Sequence, residues 1–203
     1  MASDLSHTAL VVIDVQKAFD HPTHWGNARS NPKFEENLTS LLYAFRTAQD
    51  VTGKSPLLIH VYHNSEDSSS PLHHTSAGHE FMDYAAPLSS EPTIGKSVNS
   101  SFIGTDLEKI LRENGIRQLY LAGLSTDHCV STTTRMAANL HVTDHVDDRG
   151  IKQRGHVILI EDATAAWEKG GFDAEIVHRV NVESLKEFAD IAQTRDVLAS
   201  LRI

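Results

Sequence analysis

Apolar and polar positions along the chain fall into two alternating rhythms. Residues 8–15, TALVVIDV, form an unbroken apolar, β-branched run, which predicts a strand covered on both faces of a parallel sheet. Residues 33–50 follow with Phe34, Leu38, Leu41, Leu42 and Phe45 at helical spacing, opposite Glu35, Glu36 and Arg46. Pro32 suits the start of that helix, and Gly53 and Pro56 suit its end. A second strand is expected over 57–64. Residues 65–95 are rich in Ser, His and Pro, with a short strand expected near 91–95. A loop that long in a compact fold is usually functional. Further on, the pattern predicts a helix at 106–115, a strand at 116–123, and a helix at 125–140 capped by Ser125 or Thr126. A polar, charged excursion at 141–155 reads as a surface insertion, followed by a strand at 156–162. Ile176, Val177, Val180 and Leu185 mark one side of a helix over 173–188. A short strand at 189–193 and a final short helix close the chain.

Strands thus alternate with helices throughout. The expected fold is α/β: a three-layer, Rossmann-like sandwich, with a mainly parallel six-stranded sheet and helices on both faces. The whole chain, 1–203, is expected to form one domain. Sites in such folds lie at the carboxyl ends of strands, where strand order reverses. That rule selects Asp14 at the end of the first strand, the loop before Lys96, and the turn carrying Cys129.

Composition narrows the class. Hydrophobic residues make up 40% and charged residues 22% of 203 residues, near globular averages. A net charge of −9 disfavours nucleic acid or an anionic membrane as partner and leaves a small-molecule substrate open. The N-terminal apolar run is about five residues, against the roughly 20 of a membrane span, so a cytoplasmic protein is expected. Cys129 is the only cysteine, which excludes an intramolecular disulfide. No G-x-G-x-x-G follows the first strand, where DVQKAF stands instead, so dinucleotide binding is not expected.

Cys129 sits about one turn into a helix that follows a buried strand. Unpaired N–H groups and the helix dipole there are expected to lower a thiol pKa; a buried, inert Cys is the plainer alternative. Asp14 closes an otherwise apolar strand, where a carboxylate is costly unless paired or used as a base. Lys96, near both, would hold the two anions; in isolation a loop lysine is usually a solvated charge.

VVIDVQKAF, GKSVNSSFIGTDL and GLSTDHCVSTTTRMA resemble the three landmark segments of the isochorismatase-like cysteine hydrolases, in order and at about the family's spacing. The resemblance extends from residue 8 to about residue 198. It implies an Asp14–Lys96–Cys129 catalytic triad and a supporting role for Gln16. It also implies a cis peptide between Leu124 and Ser125, and an oxyanion hole built from the backbone N–H groups of Ser125 and Cys129. The activity implied is hydrolysis of a small amide, ureide or cyclic amide through a Cys thioester. Enol-ether hydrolysis of the isochorismate kind is the alternative, and a non-catalytic binding protein on the same fold a third. No cofactor is implied. Relatives are often dimers or tetramers, so a homo-oligomer is expected.

Thirteen histidines raise the question of a metal. His60, His63, His73, His74 and His79 cluster in and after the second strand, near Asp67. Nicotinamidases in this superfamily bind a metal through an Asp-x-His pair, but this chain reads HVYHNSEDSSS there, so no metal is expected. Gln16, Phe19, Trp25, His63, Asn64, Phe102 and His128 are the candidate substrate contacts, with Ser70 a further donor.

Overall fold

The structure, a computed structural model, describes residues 5–52 and 56–201. Gly53, expected to end the first helix, lies outside the described residues. Six strands form one parallel sheet: β1 (Thr8–Ile13), β2 (Leu57–His63), β3 (Thr93–Lys96), β4 (Gln118–Leu124), β7 (His156–Ala165) and β8 (Asp190–Ala192). The helices are α1 (Phe34–Thr52), α2 (Leu107–Glu113), α3 (Ser131–Asn139), α4 (Ala174–Leu185) and α5 (Thr194–Ser200). Strand order is β3-β2-β1-β4-β7-β8. The chain winds outward from β1 through β2 and β3, then returns to β4 and winds the other way. The reversal therefore falls between β1 and β4, and the loops after those two strands carry Asp14 and Cys129.

The unbroken apolar run of β1 is explained by the layers it separates. Leu10 and Val12 pack with Phe34, Leu38, Leu41 and Phe45 of α1 and Val197 of α5. Ala9, Val11 and Ile13 point the other way, into a second core with Leu107 and Leu111 of α2, Ala137 of α3, and Val182 and Leu185 of α4. A strand buried on both faces has no polar side to alternate with.

Two elements differ from the sequence expectation. On α4, Ile176 is 44% and Val180 63% exposed, and the inward residues are Ala174, His178, Val182 and Leu185. Those four share one face at helical spacing. The pattern misleads because a polar residue, His178, stands on the buried face, where it finds hydrogen-bond partners. The helix expected over 125–140 is also not continuous. A π-helical turn, Thr126–Val130, precedes α3, and Ser125 caps it by backbone position without a side-chain hydrogen bond.

The excursion at 141–155 contains a two-stranded antiparallel hairpin, β5 (His145–Val146) with β6 (Lys152–Gln153). It leads into His156, which pairs with Gln118 at the start of β4. The hairpin thus lies at the amino ends of the strands, away from the loops that carry Asp14 and Cys129.

Candidate active site

Asp14 directly follows β1, and its backbone takes a left-handed conformation, φ 53°. Asp is one of the few residues that adopts it readily. Its N–H donates to Val61 O at 2.9 Å, tying the end of β1 to β2. The carboxylate is fully buried. Oδ2 accepts from Lys96 Nζ at 2.6 Å; Oδ1 is buried without a hydrogen-bond partner among the described residues.

Lys96 ends β3 and is 3% exposed. Its ammonium has three donors, and three acceptors surround it: Asp14 Oδ2, His63 Nδ1 at 3.1 Å and Cys129 Sγ at 3.2 Å. An ammonium only donates, so Nδ1 of His63 must carry its lone pair. Burial, reinforced by the neighbouring Lys96 charge, lowers the His63 pKa to about 4, so this ring is neutral near pH 7.

The turn that carries Cys129 begins after Gly123. Gly123 has φ 122°, and a Cβ there would stand 2.1 Å from the carbonyl oxygen of Ile13. Glycine is what lets β4 end this close to β1. The Leu124–Ser125 peptide is cis. The Ser125 carbonyl then accepts from the N–H groups of His128 and Val130.

Cys129 is buried, and its thiol does not rest as a thiolate. Burial first, then the Asp14 charge, push its pKa up. This corrects the expectation that a helix start would lower it. The cysteine sits inside a π turn, packed with Val130 and Phe102 in the apolar core beside a carboxylate, and these outweigh any helix dipole. Burial likewise raises the Asp14 pKa, against the opposing pull of Lys96. Burial thus raises the pKa of both acids, the thiol and the carboxyl, at once.

Asp14, His63 and Cys129 each offer a ligand atom within 4.8 Å of the others, the sole such trio among the described residues. They do not fit a metal. The Lys96 ammonium already donates to all three, and a second cation would meet that charge at close range. His60, by contrast, points away, its Nε2 2.9 Å from the Glu91 carboxylate that Arg46 also holds.

Cys129 lies in a cavity of about 410 Å³. Phe19, Trp25 and Trp167 form one wall, with Phe19 stacked on Trp25 at 4.5 Å and on Trp167 at 5.5 Å. Ser65, Asp67, Ser69, Ser70 and Leu72 from the long loop form another, and His24, His63, Asn99, Ser125, Asp127, His128 and Lys169 complete the lining. Lys169 donates to Asp127 at 2.6 Å, and Asp127 also pairs with His128 at 2.7 Å.

Of the residues expected to touch substrate, Phe19, Trp25, His63, His128 and Ser70 border this cavity, as does Ser125. Gln16, Asn64 and Phe102 do not. Gln16 is fully buried and spends its amide on backbone: Nε2 donates to His63 O and His79 O, and Oε1 accepts from His63 N at 2.7 Å. It fixes the end of β2 rather than a ligand. The Asn64 N–H donates to Lys96 O at 2.7 Å, tying the ends of β2 and β3, and the side-chain Oδ1 of Asn64 is buried without a hydrogen-bond partner among the described residues. Phe102 packs in the second core with Val130. Trp167, Lys169, Asp127, Asn99 and His24 are lining residues the sequence reading overlooked. Asp127 stands inside the STDHC segment, and Trp167 and Lys169 follow the carboxyl end of β7, where the strand-end rule could have pointed.

Comparison with known proteins agrees with this geometry. Residues 8–196 match the isochorismatase domain model. An uncharacterized isochorismatase family protein of Bacillus subtilis, YrdC, is 37% identical over 196 residues, 94% of each chain. The crystal structure of an isochorismatase-family protein from Chromobacterium violaceum superposes with a TM-score of 0.83 at 33% identity, over 99% of this chain and 96% of that one. N-carbamoylsarcosine amidase from Thermoplasma acidophilum shares the fold, at a TM-score of 0.63 and 23% identity, over 92% of this chain and 96% of its own. The parallel sheet, the switch-point site and these matches converge: the chain belongs to the isochorismatase family of hydrolases.

Proposed function

We propose that this hydrolase cleaves a C–N bond in a small amide, ureide or cyclic amide through a thioester on Cys129. One observation carries the reading. Behind the cavity wall at Cys129, Lys96 Nζ bridges Asp14 Oδ2 and Cys129 Sγ; Asp14 Oδ1 is buried without a close hydrogen bond among the described residues, and the Cys129 thiol interacts with the same carboxylate. An orphaned carboxylate oxygen beside a thiol of raised pKa is a base with one obvious proton to take.

In the first step Asp14 takes the thiol proton as sulfur attacks the carbonyl carbon and a C–S bond forms. Lys96 balances the charge that remains. The oxyanion rests on the backbone N–H groups of Ser125 and Cys129. The intermediate collapses, the C–N bond breaks, and Asp14 returns its proton to the leaving nitrogen. Water then gives a proton to Asp14 and attacks the thioester. The C–S bond breaks, the acid departs, and sulfur recovers the proton from Asp14.

The aromatic wall of Phe19, Trp25 and Trp167 suits a flat or apolar substituent, and the cavity limits it to a small molecule. Amide hydrolysis on this fold has a precedent in N-carbamoylsarcosine amidase. A homo-oligomer with a small-molecule substrate as its only other partner completes the reading.

The test is turnover of a panel of amides and ureides, with isochorismate included, by wild type and Cys129→Ala. One amide or ureide is expected to be hydrolysed, with a loss of about a thousandfold or more in Cys129→Ala. Turnover of isochorismate alone, undiminished in Cys129→Ala, would overturn the thiol mechanism.

A further inference from the structure

His178 is a buried histidine that the steps above do not use. It lies on the inward face of α4, 4% exposed. Nδ1 is 2.9 Å from the hydroxyl of Thr126, the fully buried first residue of the π turn. Nε2 is 3.3 Å from the side-chain nitrogen of Asn31.

The proton positions follow from Asn31. Its Nδ2 contacts two carbonyl oxygens, Thr164 O at 2.6 Å and Glu161 O at 2.9 Å, and so must be the amide's donor end. Its two N–H groups serve those carbonyls, and an amide nitrogen accepts nothing, so an Nε2–H would have no acceptor there; Nε2 therefore holds the lone pair and the ring proton is on Nδ1. That proton can only be given to Thr126 Oγ1. A second proton on Nε2 would set N–H against N–H in a buried place. Burial also holds the His178 pKa down, consistent with a neutral ring. The charged groups nearest it are Glu175, whose carboxylate accepts from the Asn31 N–H at 3.1 Å, and Asp127, held by Lys169.

The chain of contacts has a direction. Asn31 is anchored to the irregular stretch of β7 and to the first turn of α4. His178 passes that anchorage to Thr126. Thr126 directly follows Ser125 and lies three residues before Cys129. The Lys169–Asp127 pair braces the same turn from the cavity mouth.

We propose that His178 is a positioning residue for acyl transfer: in its Nδ1–H form it holds the Thr126 hydroxyl and so fixes the turn that presents the Ser125 and Cys129 backbone N–H groups to the oxyanion. This rests on the thioester reading. A site built on two backbone donors needs them held to within a few tenths of an ångström, and backbone can be held only through its neighbours.

The experiment compares Thr126→Val, Thr126→Ser, His178→Phe and His178→Asn with wild type, on the amide or ureide that wild type hydrolyses. Three quantities are read: kcat, KM, and the rate at which iodoacetamide alkylates Cys129, with melting temperature as the control for folding. Thr126→Val keeps the side chain's shape without the acceptor; Thr126→Ser keeps the acceptor. The expected result is a loss of about tenfold or more in kcat for Thr126→Val and His178→Phe, with KM and the alkylation rate within about twofold of wild type. Thr126→Ser recovers the loss. His178→Asn, whose amide nitrogen can stand where Nδ1 stands, retains more kcat than His178→Phe. Alkylation has no oxyanion, so it separates positioning of the donors from general damage to the site. Wild-type kcat in folded Thr126→Val overturns the inference alone. So does a fall in kcat matched by equal falls in alkylation rate and melting temperature, which would make the network mere core support. If wild type hydrolyses no amide or ureide, the thioester reading fails first and the inference falls with it.

Discussion

At the scale of single residues, the site turns on the charge balance between Asp14, Lys96 and Cys129. Lys96 offsets the buried Asp14 carboxylate directly, at 2.6 Å, and a hydrogen bond with the Cys129 thiol adds a smaller pull. Lys96→Met removes the cation while keeping much of the volume. Burial already raises the Asp14 pKa, and the change would leave the weaker Cys129 hydrogen bond to oppose it. The sign follows from the role of the base. Asp14 works only when ionised, so activity is lost as pH falls through its pKa, and a higher pKa moves that acid limb upward. In wild type the limb is expected above the 3.8 of an ordinary aspartate. In Lys96→Met it moves higher still, and activity at neutral pH falls by about a hundredfold or more. A pH–rate profile of both proteins checks this; an unmoved limb would mean that Lys96 does not set the basicity of Asp14. His63 does not confuse the reading near neutrality, because its pKa of about 4 keeps it uncharged there.

At the scale of elements, two joints hold the site-bearing strands in register. One is Gly123, where any Cβ would collide with the backbone of Ile13. Gly123→Ala combines that clash with a positive φ and is expected to cost about 3 kcal/mol or more, read as a lowered urea midpoint. The other is a buried ion pair. Glu91 stands just before β3, its side chain 2% exposed; it accepts twice from Arg46 of α1 and contacts His60 of β2. Burial alone would raise the Glu91 pKa, but the Arg46 hydrogen bonds, with one from the Leu88 N–H, bring it below the usual value. A lowered carboxylate pKa contributes stability above the unfolded value and loses it as pH falls through the folded one. Arg46→Met strips the buried carboxylate of its cation, leaving it the Leu88 N–H and the His60 contact, and is expected to cost about 3 kcal/mol near pH 7. The deficit should shrink in acid, where Glu91 takes a proton; a deficit independent of pH would show that packing, not charge, was lost. Such joints also mark what the sequence makes legible. The three catalytic candidates were readable because each stands in a short segment at the carboxyl end of a strand. Arg46, Glu91 and His178 were not, because long-range partners make a buried polar residue tolerable, and spacing along the chain does not name partners. Ile176 and Val180 misled for the complementary reason: they are apolar residues left on the outer face of α4, where nothing covers them among the described residues. The π turn at Thr126–Val130 was hidden because its sequence is as acceptable in an α-helix.

At the scale of the whole molecule, the parallel sheet divides the protein into a reactive end and a supporting end. All six strands point their carboxyl ends the same way, so the loops after β1, β2, β3, β4 and β7 meet around the cavity. The charged hairpin of β5 and β6 belongs to the opposite end, since it feeds the first residue of β7. A surface loop, an oligomer contact and a cover for the site are three uses its sequence leaves open, and its place in the fold removes the third within one chain. Its tip is self-contained: the Asp147 carboxylate accepts from the N–H groups of Arg149 and Ile151, from the Arg149 guanidinium and from Gln153 Nε2. Residues 147–151 can therefore be exchanged for Asn-Gly, a two-residue turn suited to the flanking Val146–Lys152 pair, at the loss of one hydrogen bond to a retained residue, that of Gln153 Nε2. The expected outcome is kcat/KM within about twofold of wild type and a stability change within about 0.5 kcal/mol, as for surface changes remote from buried features. Sedimentation of the same variant distinguishes the two remaining uses. An unchanged mass leaves a plain surface loop. A smaller assembly with intact turnover identifies the tip as a contact between subunits. A large loss of turnover together with the smaller mass would mean that the tip of one subunit completes the cavity of another, and the division into a reactive and a supporting end would then hold only within a single chain.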